Sequence, residues 1–137
     1  MNQNKINVAI VDDDESFARA LDRLFRASGF GVHTYPSAEA FLASTTLPRP
    51  DCLVLDIQLG GMSGLDLQRR LREVRDPAPI IFVTAHDEPG GREEAQQAGC
   101  VAYFLKPVPR KSIIEAITKV VRSSNRKRQN QAAQKPE

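Results

Sequence analysis

At 137 residues the chain has the length of one domain and is long enough to bury a real core. It is 41% hydrophobic and 26% charged, an ordinary globular composition, and no apolar stretch nears the roughly 18 residues of a membrane span. The formal net charge of +2 divides unevenly: residues 122–137 carry +4, so residues 1–121 carry −2.

The segment Met1-Asn2-Gln3-Asn4-Lys5 has no signal-peptide apolar stretch behind it, and the expected address is cytoplasmic. The first strand is expected over about 6–11 (Ile6-Asn7-Val8-Ala9-Ile10-Val11), directly followed by Asp12, Asp13 and Asp14. An amphipathic helix follows over about 16–28, with Phe17, Leu21, Leu24 and Phe25 on one face and Gly29 where a C-terminal cap belongs. A short strand spans about 30–34, and Ser37 caps a helix over about 37–45 with Ala38, Phe41 and Leu42 facing inward. Pro48 and Pro50 break the chain before a third strand, about 51–55, which ends at Asp56.

A glycine-rich turn, Leu59-Gly60-Gly61-Met62-Ser63-Gly64, leads into a third helix over about 63–74. The fourth strand, about 79–84, ends at Thr84. The fourth helix, about 89–98, is weak, because Gly90 and Gly91 open it and each glycine costs roughly 1 kcal/mol relative to alanine. The fifth strand, about 101–105, ends at Lys106, and the last helix covers about 110–123. Residues 124–137 hold no strong hydrophobe and are expected to be a basic tail, frayed at its start and then disordered. Cys52 and Cys100 form no CxxC pair and are expected to be reduced, semi-buried thiols.

Five strand–helix alternations with crossovers of this length predict an α/β fold: a (βα)5 flavodoxin-like, doubly wound parallel sheet in the order 2-1-3-4-5. All strand C-termini then share one edge, which gathers several acids, one hydroxyl and one amine. Adjacent carboxylates such as Asp12 and Asp13 repel one another when ionised, and a hard cation offsets that repulsion. Mg²⁺ takes oxygen ligands and keeps several waters, so two or three protein oxygens suffice. Asp56 can offer one oxygen to the cation and the other to phosphorus as a nucleophile. Lys106 and Thr84 suit charge neutralisation and hydrogen bonding of a phosphoryl group.

Four motifs at these strand ends carry a resemblance: Val11-Asp12-Asp13-Asp14, Val54-Leu55-Asp56 with Met62-Ser63-Gly64, Val83-Thr84-Ala85, and Phe104-Leu105-Lys106-Pro107. The chain over about 5–123 resembles the receiver domains of two-component response regulators. The stretch from Ser28-Gly29-Phe30 to Ser37-Ala38-Glu39-Ala40-Phe41-Leu42 looks most like the FixJ-like subgroup.

The resemblance implies that Asp56 accepts a phosphoryl group from a kinase phosphohistidine. It implies that Asp13, Asp56 and the Gln58 backbone carbonyl hold Mg²⁺ directly, with Asp12 acting mostly through a water. It makes Thr84 and Tyr103 the switch residues, pairs Lys106 with the phosphoryl group, and puts a cis peptide between Lys106 and Pro107. It implies no enzyme beyond catalysis of its own phosphorylation and dephosphorylation. Implied partners are a sensor histidine kinase or phosphotransfer protein, a downstream protein, and a phosphorylation-dependent second copy.

The family's readout surface here maps to Ala95, Ala98, Tyr103, Arg110, Lys111 and Glu115. Asp14 is read as a helix cap, His86 as a rim residue and His33 as a surface residue. The chain departs from the family at Gly60, where most members carry a proline, and no output domain follows residue 123, so it is either a stand-alone receiver or a fragment.

Two other functions fit the residues less well. A Mg²⁺-dependent phosphohydrolase usually places a second acid two residues after its nucleophile, where this chain has Gln58, which transfers no proton. Nucleic-acid binding through Arg126-Lys127-Arg128 lacks interleaved aromatics and a known motif.

Overall fold

A computed structural model of the chain describes residues 5–45 and 49–134, with side chains as far as Ser124. Five strands and five helices alternate: β1 (Asn7–Val11), α1 (Glu15–Ala27), β2 (Gly31–Tyr35), α2 (Ala38–Ala43), β3 (Cys52–Leu55), α3 (Gly64–Glu73), β4 (Ile80–Thr84), α4 (Gly91–Gln97), β5 (Ala102–Leu105) and α5 (Arg110–Gln134). Every strand pair is parallel, and the order is β2-β1-β3-β4-β5. This is the flavodoxin-like arrangement that the alternation predicts.

The sheet is covered on both faces, which is why its central strands are near-continuous apolar runs. Val8, Ile10, Val54, Ile81 and Val83 pack with Leu21 and Phe25 of α1 and Ile113, Ile117 and Val121 of α5. The alternate residues, Ala9, Val11, Leu53, Leu55 and Phe82, pack with Ala38 of α2, Leu67 and Leu71 of α3 and Ala95 of α4. Cys52 lies wholly inside, and burial pushes its thiol up to about 12; both cysteines are free.

Helix starts follow their caps. Asp14 accepts from the Phe17 amide at 3.1 Å, and Ser37 accepts from the Ala40 amide at 3.0 Å. Ser63 and Asp66 form a reciprocal capping box at the start of α3. The weak fourth helix is seven residues long and opens at Gly90 without a side-chain cap.

One expectation is corrected. The last helix does not end near residue 123, because α5 continues to Gln134. That segment is rich in Arg, Lys, Gln and Ala, good helix formers, and extends an already nucleated helix at one bond per residue. Residues 135–137 lie outside the described residues. Among the described residues, no helix is long and apolar enough to cross a membrane.

Gly64, the first residue of α3, is packed against the main chain that leaves β3, and its amide donates to the Ile57 carbonyl at 2.8 Å. A Cβ there would overlap the Asp56 carbonyl oxygen and lie 3.1 Å from Ile57 Cα. Backbone on both sides leaves little room to yield. Gly64→Ala is therefore expected to destabilise the protein by about 2 kcal/mol, measured by urea denaturation. An unchanged midpoint would mean that the loop after Asp56 is not pinned by α3.

Candidate functional site

The sheet register assembles the site. Val11 stands beside Leu55 across the β1–β3 pair, so the next residues, Asp12 and Asp56, leave the edge side by side. The Asp56 amide donates to the Val11 carbonyl at 3.1 Å, which extends the ladder to the acid itself. On the far side Thr84 pairs with Leu105, and the Lys106 amide donates to the Thr84 carbonyl at 2.8 Å. The peptide between Lys106 and Pro107 is cis, as the resemblance implies.

Lys106 reaches back over the edge. Its Nζ lies 2.9 Å from Asp12 Oδ2 and 3.1 Å from Asp56 Oδ2. The three side chains are only 13%, 3% and 8% exposed, in the order Lys106, Asp12, Asp56, so these are not solvent-screened surface pairs. Burial by itself lowers the pKa of the ammonium, but hydrogen bonds and charge from Asp12 and Asp56 outweigh it and raise the pKa. Burial also raises the Asp12 carboxyl above the usual range, against the Asp14 amide and the Lys106 ammonium, which lower it.

Asp13 is exposed and completes a carboxylate group: one oxygen each from Asp12, Asp13 and Asp56 fall within 4.8 Å of one another. That spacing fits a small hard cation with oxygen ligands. Three carboxylates and one ammonium sum to a formal charge of −2, the complement of a divalent ion.

The other expected residues are placed differently from one another. Gln58 is exposed beside Asp56, and its amide donates to Asp56 Oδ1 at 3.1 Å. Its side-chain amide is engaged by Glu88, which links the loops after β3 and β4. Thr84 is fully buried, and its Oγ1 is held within its own loop: it accepts from the His86 amide at 3.3 Å and bonds the His86 carbonyl at 3.4 Å. Its hydroxyl therefore does not engage Asp56 in this conformation.

Tyr103 lies 6.3 Å from Phe82, with Arg92 5.1 Å from its ring centroid, and its buried hydroxyl has no described hydrogen-bond partner. His86 lines the rim of the pocket with Asp13, Asp56, Gln58 and Lys106. His33 is exposed on β2, an edge strand.

The sequence reading missed Phe17 as a site residue. Its ring centroid lies 4.1 Å from Lys106 Nζ, a cation–π contact that adds to the hold of the carboxylates on the ammonium. The 3.6-residue periodicity marked Phe17 only as core, and nothing in its spacing distinguishes the two roles.

Removing the ammonium leaves Asp12 and Asp56 adjacent, buried and without their cation. Lys106→Met is expected to cost about 3 kcal/mol in chelator, measured by urea denaturation. A loss below about 1 kcal/mol would class the lysine with ordinary surface pairs.

Comparison with known proteins agrees with this geometry. The family model described as "Response regulator receiver domain" matches residues 8–118. The response regulator protein TmoT of Ectopseudomonas mendocina is 35% identical over 130 residues, covering 95% of this chain and 59% of that protein. The transcriptional regulatory protein FixJ of Rhizobium meliloti is 39% identical over 110 residues, covering 80% of this chain and 54% of that protein. The chain thus spans a little over half the length of these relatives. The solved structure of response regulator StyR superposes with a TM-score of 0.84 at 37% identity, covering 95% of this chain and 66% of that one. With the match covering most of its length, and a two-acid and lysine cluster at the C-terminal edge of a 2-1-3-4-5 sheet, this chain belongs to the response regulator receiver domain family.

Proposed function

We propose that the chain is a phospho-accepting signalling switch in which Asp56 takes a phosphoryl group from the phosphohistidine of a histidine kinase or phosphotransfer protein. The observation that carries this reading is Lys106 Nζ seated between Asp12 Oδ2 and Asp56 Oδ2, with Asp13 beside them. An Asp56 oxygen forms a bond to phosphorus as the bond from phosphorus to the donor nitrogen breaks. Lys106 neutralises the charge that spreads over the phosphoryl oxygens.

Asp12, Asp13 and Asp56 would hold Mg²⁺, with the Gln58 carbonyl as a further ligand; bound there, Mg²⁺ supplies the remaining positive charge and orients the phosphoryl oxygens. The same constellation would serve hydrolysis, in which a water oxygen bonds to phosphorus as the bond from phosphorus to the Asp56 oxygen breaks, so the catalysis proposed acts on the protein's own phosphoryl group.

The positions of Thr84 and Tyr103 support a switch. A phosphoryl group at Asp56 offers the Thr84 hydroxyl a charged partner in place of its weak bonds to the His86 backbone at 3.3 and 3.4 Å. Movement of Thr84 and its loop would then be felt by Tyr103 and by α4, whose seven residues and uncapped Gly90 start make it inexpensive to displace. On this reading the surface of α4, β5 and α5 recruits a partner or a second copy. Of the residues mapped to it, Arg110, Lys111 and Glu115 are exposed, whereas Ala95 and Tyr103 are buried and can act only by moving. The receiver unit is residues 5–123, and the basic segment 124–137 is an extension of it.

The test is intact-mass spectrometry after incubation with a small-molecule phosphodonor. One phosphoryl adduct is expected, dependent on Mg²⁺ and absent from Asp56→Asn. An adduct that persists in Asp56→Asn, or none in the wild type with Mg²⁺ bound, would refute the reading.

A further inference from the structure

The turn between the acceptor aspartate and α3 is anchored at both ends. At its start the Gln58 amide bonds Asp56 Oδ1 and Leu59 is buried. At its end the Ser63–Asp66 capping box and the Gly64 amide on the Ile57 carbonyl fix it to α3. Between these anchors lie Gly60 and Gly61, the two residues with the most backbone freedom to lose.

The described tie at that point comes from across the sheet edge. Glu39, in the first turn of α2, accepts from the Met62 amide through Oε2 at 2.9 Å. Gly61 is shaped for it. Its φ is +80°, and a Cβ there would stand 2.5 Å from Glu39 Oε2. Glycine at 61 therefore admits both the left-handed backbone and the carboxylate. The Met62 amide in turn holds the Glu39 carboxyl below the usual range, the sign expected of a bonded carboxylate.

We propose that Glu39 is a positioning residue for the acceptor loop: from α2 it fixes the Gly60–Gly61 turn through the Met62 amide, and so sets where the Gln58 carbonyl and the Asp56 carboxylate stand. The proposal rests on the roles given to Asp56 and Gln58 above. It assigns to a charged hydrogen bond the restraint that a ring would give a proline-bearing turn, and it makes α2 part of the site's support. Ser37 still caps α2 through Ala40, so the helix does not depend on Glu39.

The experiment uses the full chain as wild type, Glu39→Ala, Glu39→Gln, Gly61→Ala and the Glu39→Ala/Gly61→Ala double variant. Two readouts are taken: hydrogen exchange of the Met62 amide without metal, and Mg²⁺ affinity by calorimetry. Glu39→Ala is expected to speed Met62 exchange and to weaken Mg²⁺ binding about tenfold, the low end for a residue supporting a metal ligand. Glu39→Gln keeps an oxygen acceptor but loses the charge, and is expected to fall between wild type and Glu39→Ala. Gly61→Ala displaces the carboxylate, so adding Glu39→Ala to it should weaken Mg²⁺ binding no further.

Wild-type Mg²⁺ affinity in Glu39→Ala, in a protein that is phosphorylated normally, would overturn the positioning role and leave the receiver reading intact. A wild type that takes neither Mg²⁺ nor a phosphoryl group would instead overturn the receiver reading, and this inference with it.

Discussion

Lys106 between Asp12 and Asp56 is the contact on which the site depends. Two carboxylates brought together at the end of adjacent parallel strands are a liability in the absence of a cation. The lysine reduces that liability without removing it, because Asp13 still leaves the cluster with a formal charge of −2. The arrangement is thus stable enough to fold and anionic enough to take a divalent ion. A second lysine in place of Asp13 would make the cluster neutral and end its use as a cation site.

The fold supplies this contact through order and register more than through any loop. Order β2-β1-β3-β4-β5 places β3 at the centre, so Asp56 has Asp12 on one flank and Thr84 on the other, with Lys106 one strand further. The loops then fine-tune what the strands deliver. Gly64 lets α3 close against the Asp56 backbone, Phe17 gives the ammonium a polarizable face, and Glu88 and Glu39 engage the loop after Asp56 from opposite sides. The acceptor's main chain is held by the strand ladder and its loop by side chains, while the groups proposed to respond to it, Thr84 and α4, are held weakly.

Much of this was legible in the chain because buried parallel strands must be apolar throughout, so a charged residue ending such a run marks the sheet edge. Asp12, Asp56, Thr84 and Lys106 announce themselves in that way, and the alternation of elements then gives the topology. Side-chain direction was not legible. No periodicity says that Thr84 turns to His86, that Tyr103 is buried against Phe82, or that Phe17 lies against the lysine. Contacts such as Glu39 to Met62 join an exposed glutamate to a half-buried methionine 23 positions away, where sequence patterns carry no signal. The end of α5 is not marked by apolar residues, because a run of good helix formers carries the helix on to Gln134.

If Lys106 and a divalent ion draw on the same carboxylates, the two cations must oppose each other in binding. Calorimetric titration of Mg²⁺ into wild type and Lys106→Met, both confirmed folded, measures that opposition directly. The account predicts that Lys106→Met binds Mg²⁺ more tightly, by several-fold or more, because about 1 kcal/mol or more of cation–cation repulsion is removed at this range. Equal or weaker binding would contradict it, and would mean that Mg²⁺ does not draw on the carboxylates that the lysine holds.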